Sequence, residues 1–98
     1  MCTREQCITR LQEATPYLKH NFGVKSLSLF GSMARGDNKD GSDVDVCVDM
    51  PPKAFQVVAL KLYLQELLDT AVDVVRKSPY IDEFLIKEIN RDGICIFS

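Results

Sequence analysis

The 98-residue chain has no tryptophan and one histidine, His20. With a single imidazole and no Cys-x-x-Cys spacing among Cys2, Cys7, Cys47 and Cys95, a zinc site is not expected. No apolar run approaches the ~20 residues that span a bilayer. The first residues, Met1-Cys2-Thr3-Arg4-Glu5, lack the apolar core of a signal peptide. The expectation is a cytoplasmic protein with no membrane contact and reduced thiols. No long basic run is present and the net charge is −2, so the electrostatic footprint of a general nucleic-acid binder is missing. Repeats and low-complexity linkers are absent too, and the length suits one small domain over 1–98.

What is present concentrates in one stretch. Val24 to Phe30 is a short β-friendly run that stops at Gly31. Glycine lets the main chain approach a ligand, and Ser32 offers a hydroxyl and a helix N-cap. Met33-Ala34-Arg35 can form one helical turn that Gly36 ends. A helix start just past a strand end aims free N–H groups at one spot, which suits phosphate. Gly-Ser alone is more often an ordinary strand–turn–helix corner. After the polar Asp37–Gly41 loop, Asp43, Asp45, Cys47 and Asp49 alternate with Val44, Val46 and Val48. That period puts Asp43 and Asp45 on one face, ~7 Å apart. Two bare carboxylates there repel by ~2 kcal/mol at an effective dielectric of ~20, and a hard divalent cation would offset this. A solvated strand face fits Asp-x-Asp equally well. A third carboxylate tips the balance: Asp73 stands in the middle of Ala71–Val75, where an unpartnered acid is unusual. If that strand lies beside the 43–49 strand, three carboxylates converge, and two metal ions ~4 Å apart could clamp an in-line phosphoryl displacement.

Gly31-Ser32, Arg35-Gly36, Ser42-Asp43, Asp45 and Asp73 together resemble the nucleotidyltransferase signature of the DNA polymerase beta superfamily. The spacing is similar to that of the minimal nucleotidyltransferases (MNT proteins), and the likeness runs over about residues 5–97. The resemblance implies a nucleotidyltransferase fold, with Asp43, Asp45 and Asp73 as catalytic metal ligands for Mg2+, two ions in number. It also implies that Gly31 and Ser32 cradle the β- and γ-phosphates of ATP, with Arg35 and Ser42 in the nucleotide-binding set. Asp73 would accept the proton of the acceptor hydroxyl. A chain this short leaves little room for an acceptor-binding module, and the resemblance implies that a helical HEPN-type toxin supplies the acceptor. On that reading the chain is an antitoxin that transfers AMP from ATP to a tyrosine of the toxin. The alternatives are a catalytically weak antitoxin that inhibits by binding, and the catalytic subunit of a small-molecule nucleotidyltransferase.

In chain order, Thr3 and Gln6 predict a capping box. Ile8, Leu11, Leu18 and Phe22 keep helical spacing across an interruption at Pro16, with Thr15 expected as N-cap of a second helix or beyond a kink. Asn21 and Gly23 predict the stop, and His20 a favourable charge at that end. Strands are expected at 24–30, 43–49, 71–75 and 94–97. A helix from 52 or 53 to 69 carries Phe55, Val58, Leu62, Leu64, Leu67 and Leu68, read first as core and second as a partner surface. A helix over 80–91 carries Ile81, Phe84, Leu85 and Ile89. Arg76 and Lys77 are either phosphate neutralisers or solvated cations, and Cys47 and Cys95 are expected in the core. The fold class is α+β of an α/β type, a small mixed sheet flanked by helices. Strand order is not legible in the spacing.

Overall fold

A computed structural model describes residues 3–31, 44–77 and 83–98. Helix α1 (Arg4–Glu13) starts on the expected capping box: the Gln6 N–H donates to Thr3 Oγ1 at 3.2 Å and the Thr3 N–H to Gln6 Oε1 at 3.0 Å. Helix α2 (Thr15–Phe22) follows with only Ala14 between. Here the structure corrects the sequence. Ala14, not Thr15, is the cap residue, and it stays in the right-handed region (φ −82°, ψ −5°). The Thr15 hydroxyl donates back to the Leu11 carbonyl at 3.2 Å. Pro16 is tolerated because a first-turn residue has no intrahelical acceptor to lose. Gly23 ends α2 at φ 67°, the left-handed conformation that glycine adopts without strain.

The sheet is built from β1 (Ser26–Phe30), β2 (Val44–Asp49), β3 (Val72–Arg76) and β4 (Ile94–Phe97), in the order β3-β2-β1-β4. The β2–β3 pair is parallel and the other two pairs are antiparallel, so the sheet is mixed as expected. Helix α3 (Ala54–Leu68) connects β2 to β3, and helix α4 (Glu83–Asp92) connects β3 to β4. Asp69, at φ 53°, closes α3, and the Arg10 guanidinium of α1 donates to the Leu67 carbonyl at 3.1 Å.

Strand alternation makes two unlike faces. Leu27, Leu29, Val44, Val46, Val48 and Val72 point one way and are essentially inaccessible to solvent. They meet Cys7, Leu11 and Leu18 from α1 and α2, and Leu60, Leu64 and Leu68 from α3, in one core. Each fully buried aliphatic side chain contributes roughly 1.5–3 kcal/mol. Tyr17 of α2 stacks on Tyr63 of α3 at 4.9 Å, and Lys19 sits over the Phe97 ring at 5.3 Å, which ties α2 to both α3 and β4.

The two crossovers run in opposite directions across the sheet. Right-handedness in both places α3 and α4 on opposite faces. Phe30 and Cys47 agree with this: both are buried, yet neither belongs to the main core, and α4 packs nearest β1.

Three expectations are overturned. Cys95 is exposed, because β4 is an edge strand and Cys95 pairs with Ser28, which alternation sets on the face away from the core. Phe84 is exposed on α4 rather than buried in its stripe. In α3, Phe55, Val58 and Leu62 are also exposed, and the buried seam is Leu60, Leu64 and Leu68. That helix is apolar on every side, so its sequence offers no single face to bury. Among the described residues no helix is long and apolar enough to cross a membrane.

Candidate active site

The carboxylates gather on the face away from the main core. Antiparallel pairing sets Phe30 opposite Asp45, and parallel pairing sets Asp45 beside Asp73 in register. Adjacent strands lie ~4.8 Å apart, so the two acids are neighbours on one surface. Asp45 is half-buried and Asp73 exposed. At ~5 Å two carboxylates repel by about 1 kcal/mol in water-like surroundings and about 3 kcal/mol at an effective dielectric of ~20.

Gly31 completes this corner. Its φ is 75°, in the left-handed region, and a Cβ built there would strike the Asp45 carboxylate. Glycine is therefore required twice, once for the backbone turn and once for the space that Asp45 occupies.

Cys47 follows Asp45 by two residues and pairs with Ser28 and Val75. Burial pushes its thiol pKa up; nearby Lys77 opposes this and Asp49 adds to it. A neutral thiol beneath the acids adds no charge to the face they share. The alternation already put Cys47 on the aspartate side of its strand, and its burial there agrees with the expectation of a small core residue.

Of the residues singled out in the sequence, Gly31, Asp45 and Asp73 are brought together. Ser32, Arg35, Ser42 and Asp43 lie outside the described residues, as do Tyr80 and Ile81. Arg76 does not join the site. It is three residues past Asp73, so alternation turns it to the face that α3 covers. There it donates to the Lys77 carbonyl at 3.2 Å and lines a shallow hollow with Pro52, Ala54, Val57, Val58 and Val74. Among the described residues no three His, Cys, Asp or Glu side chains cluster as a metal site. The Asp45–Asp73 pair nonetheless fits a hard divalent cation: its donors are carboxylate oxygens, it is open to solvent, and the bare Gly31 turn stands beside it.

Comparison with known proteins gives a consistent set. The family described as polymerase beta, nucleotidyltransferase, matches residues 12–98. The protein adenylyltransferase MntA of Thermococcus cleftensis is 39% identical over 80 residues, which is 80% of this chain and 81% of that one. Among solved structures, one of a minimal nucleotidyltransferase superposes with a TM-score of 0.77 at 29% identity and covers 95% of both chains. A Shewanella oneidensis complex of a tri-AMPylated HEPN toxin with an MNT antitoxin shares the fold, with a TM-score of 0.66 at 18% identity over 93% of this chain and 72% of that one.

Proposed function

The chain belongs to the polymerase beta nucleotidyltransferase family and is a nucleotidyltransferase, and on that footing we propose that it moves AMP from ATP to a tyrosine hydroxyl of a helical HEPN-type toxin and thereby acts as its antitoxin. The observation that carries the reading is the in-register Asp45–Asp73 pair beside the Gly31 turn. Two kinds of likeness support the choice of group and acceptor. A relative that covers most of the chain is named a protein adenylyltransferase, and a fold neighbour is bound to an AMPylated HEPN toxin.

Each residue has a task in this reading. Asp45 and Asp73, with Asp43, would hold two Mg2+ ions. Bound there, such ions neutralise the triphosphate and lower the pKa of the acceptor hydroxyl. The Gly31 backbone and the Ser32 hydroxyl would cradle the β- and γ-phosphates, with Arg35 and Ser42 completing the triphosphate set. The acceptor oxygen bonds to the α-phosphorus, the bond to the bridging oxygen breaks, and pyrophosphate leaves. Asp73, the more exposed of the two acids, would take the hydroxyl proton. An ATP-consuming reaction and free thiols suit a cytoplasmic protein.

The test is intact-mass spectrometry of the purified HEPN-type partner after incubation with this protein, ATP and Mg2+, with Asp43→Asn as control. The expected result is a gain of one or more AMP units on the partner, absent in the control. A stable complex with no mass gain would reject transfer to protein in favour of inhibition by binding alone. Adenylylated small molecules in the same mixture would point to a small-molecule acceptor.

A further inference from the structure

The sheet has two edges, and they are unlike. β4 carries a shift of register against β1 between Leu27 and Ser28. β3 pairs with β2 without a shift, and its other side meets no strand among the described residues. The parallel ladder fixes which groups that side presents. The Val44 N–H donates to the Ala71 carbonyl and the Lys77 N–H to the Val48 carbonyl, so the odd-numbered residues of β3 turn their main chain to β2. Val72, Val74 and Arg76 turn theirs outward. The Val72 N–H is taken up there by Gln65 Oε1 at 3.4 Å. Among the described residues nothing bonds the outward N–H and C=O groups of Val74 and Arg76, on a strand with no proline and no bulge to deter pairing.

The side chains say what fits this edge. Along Asp73-Val74-Val75-Arg76-Lys77 an acid stands at one end and two bases at the other. Alternation puts Asp73, Val75 and Lys77 on the acid face, and Lys77 is near enough to the Cys47 thiol to act on its charge. Laid antiparallel on itself about Val75, the strand sets Asp73 opposite Lys77 twice and Val75 opposite Val75. Val74 falls opposite Arg76, also twice. This register obeys the main-chain pattern, because the outward-facing Val74 and Arg76 become the hydrogen-bonded pairs. The neighbouring registers do worse. Centred on Val74, the pairing sets Asp73 opposite Val75; centred on Arg76, it sets Val75 opposite Lys77. Both leave Asp73 without a base across from it. The strand is therefore complementary in charge to a second copy of itself.

We propose that two copies of the chain join through β3 in this register, about a two-fold axis at Val75 normal to the sheet, so that Lys77 of each copy stands beside Asp73 of the other. Each Val74–Arg76 pair exchanges both main-chain hydrogen bonds. The two sheets become one, with α3 of both copies on one side and both acid pairs open on the other. On the α3 side, the stem of Arg76 from the second copy lies over Val74, at the rim of the hollow that Pro52, Val57 and Val58 line. Within one chain Lys77 is ~13 Å along the strand from Asp73, too far to pair with it. The second copy brings this cation to the acid pair. The assembly does not rest on the reaction assigned to that pair.

Sedimentation equilibrium of the chain alone tests this against the monomer mass of 11.1 kDa. The expected result is a reversible dimer. Lys77→Asp and Asp73→Lys should each weaken it at least ~10-fold, since each turns both cross-strand pairs into like-charge pairs. An equimolar mixture of the two variants should recover the dimer, because every pair between them is again opposite in sign. Val74→Pro removes an outward N–H without touching the ladder to β2, and it should weaken the dimer while circular dichroism shows an intact fold. Hydrogen exchange at the Val74 and Arg76 amides should slow as the concentration of the wild type rises. A monomer mass up to millimolar concentration would overturn the proposal. So would a dimer that the mixture of variants fails to restore, or one whose Val74 and Arg76 amides exchange at the same rate at every concentration. A chain that is monomeric alone, with those amides protected only by its HEPN-type partner, would assign the edge to that partner instead.

Discussion

At the scale of single residues, the proposed site rests on two acids and one absent side chain. On the proposed reading, Asp45→Asn and Asp73→Asn each remove a charge that a bound divalent cation would need, and each should lower AMP transfer by about 10³-fold or more, read as the rate of adenylylation of the partner. Gly31→Ala combines a left-handed φ with a Cβ driven into the Asp45 carboxylate. It should cost about 1–3 kcal/mol in a urea titration and abolish transfer together. Cys47 makes a different prediction. Its raised pKa means that the fold prefers the neutral thiol. The resulting stability is fully present below the ordinary thiol value of 9.0 and is lost as pH rises through the higher folded value. The urea midpoint of the wild type should therefore fall more steeply above pH 9.0 than that of Cys47→Ala. The aspartates were legible because period-two alternation is written directly in the residue types. The second reason for Gly31 was not, since the obstruction comes from a neighbouring strand and exists only once β1 and β2 are paired. Cys95 was misread for a related reason: composition marks a strand but not its place at an edge of the sheet.

At the scale of elements, local chemistry and packing differ in weight. Thr3→Ala removes one half of the α1 capping box and should cost about 1 kcal/mol. Leu64→Ala, in the buried seam of α3, should cost about 2–5 kcal/mol in the same titration, through lost transfer energy plus a cavity. The capping box was legible because its partners are three residues apart. The Thr15 cap was misread because Ala14 remains helical and lets α2 leave directly from α1. The face of α3 was illegible for a more basic reason. With apolar residues on all sides, four-residue and three-residue rows compete, and only the docked sheet selects Leu60, Leu64 and Leu68.

At the scale of the whole molecule, the sheet separates tasks. One face holds the main core and, outside it, the apolar stripe of α3; the other holds the acids. Phe55→Glu should accordingly leave the urea midpoint of the chain close to that of wild type, because the ring is 93% exposed and takes no part in the core. Strand order was not legible at all, and it is strand order that turns two distant aspartates into neighbours. The parallel β2–β3 register has one more effect. The ladder that sets Asp45 beside Asp73 also sets Val44 beside Val72 and Val46 beside Val74. A slip of one residue would carry Asp73 into the valine layer and turn Val72 and Val74 to water. The valine layer thus penalises every misaligned pairing, and the same packing that stabilises the fold holds the two aspartates in step.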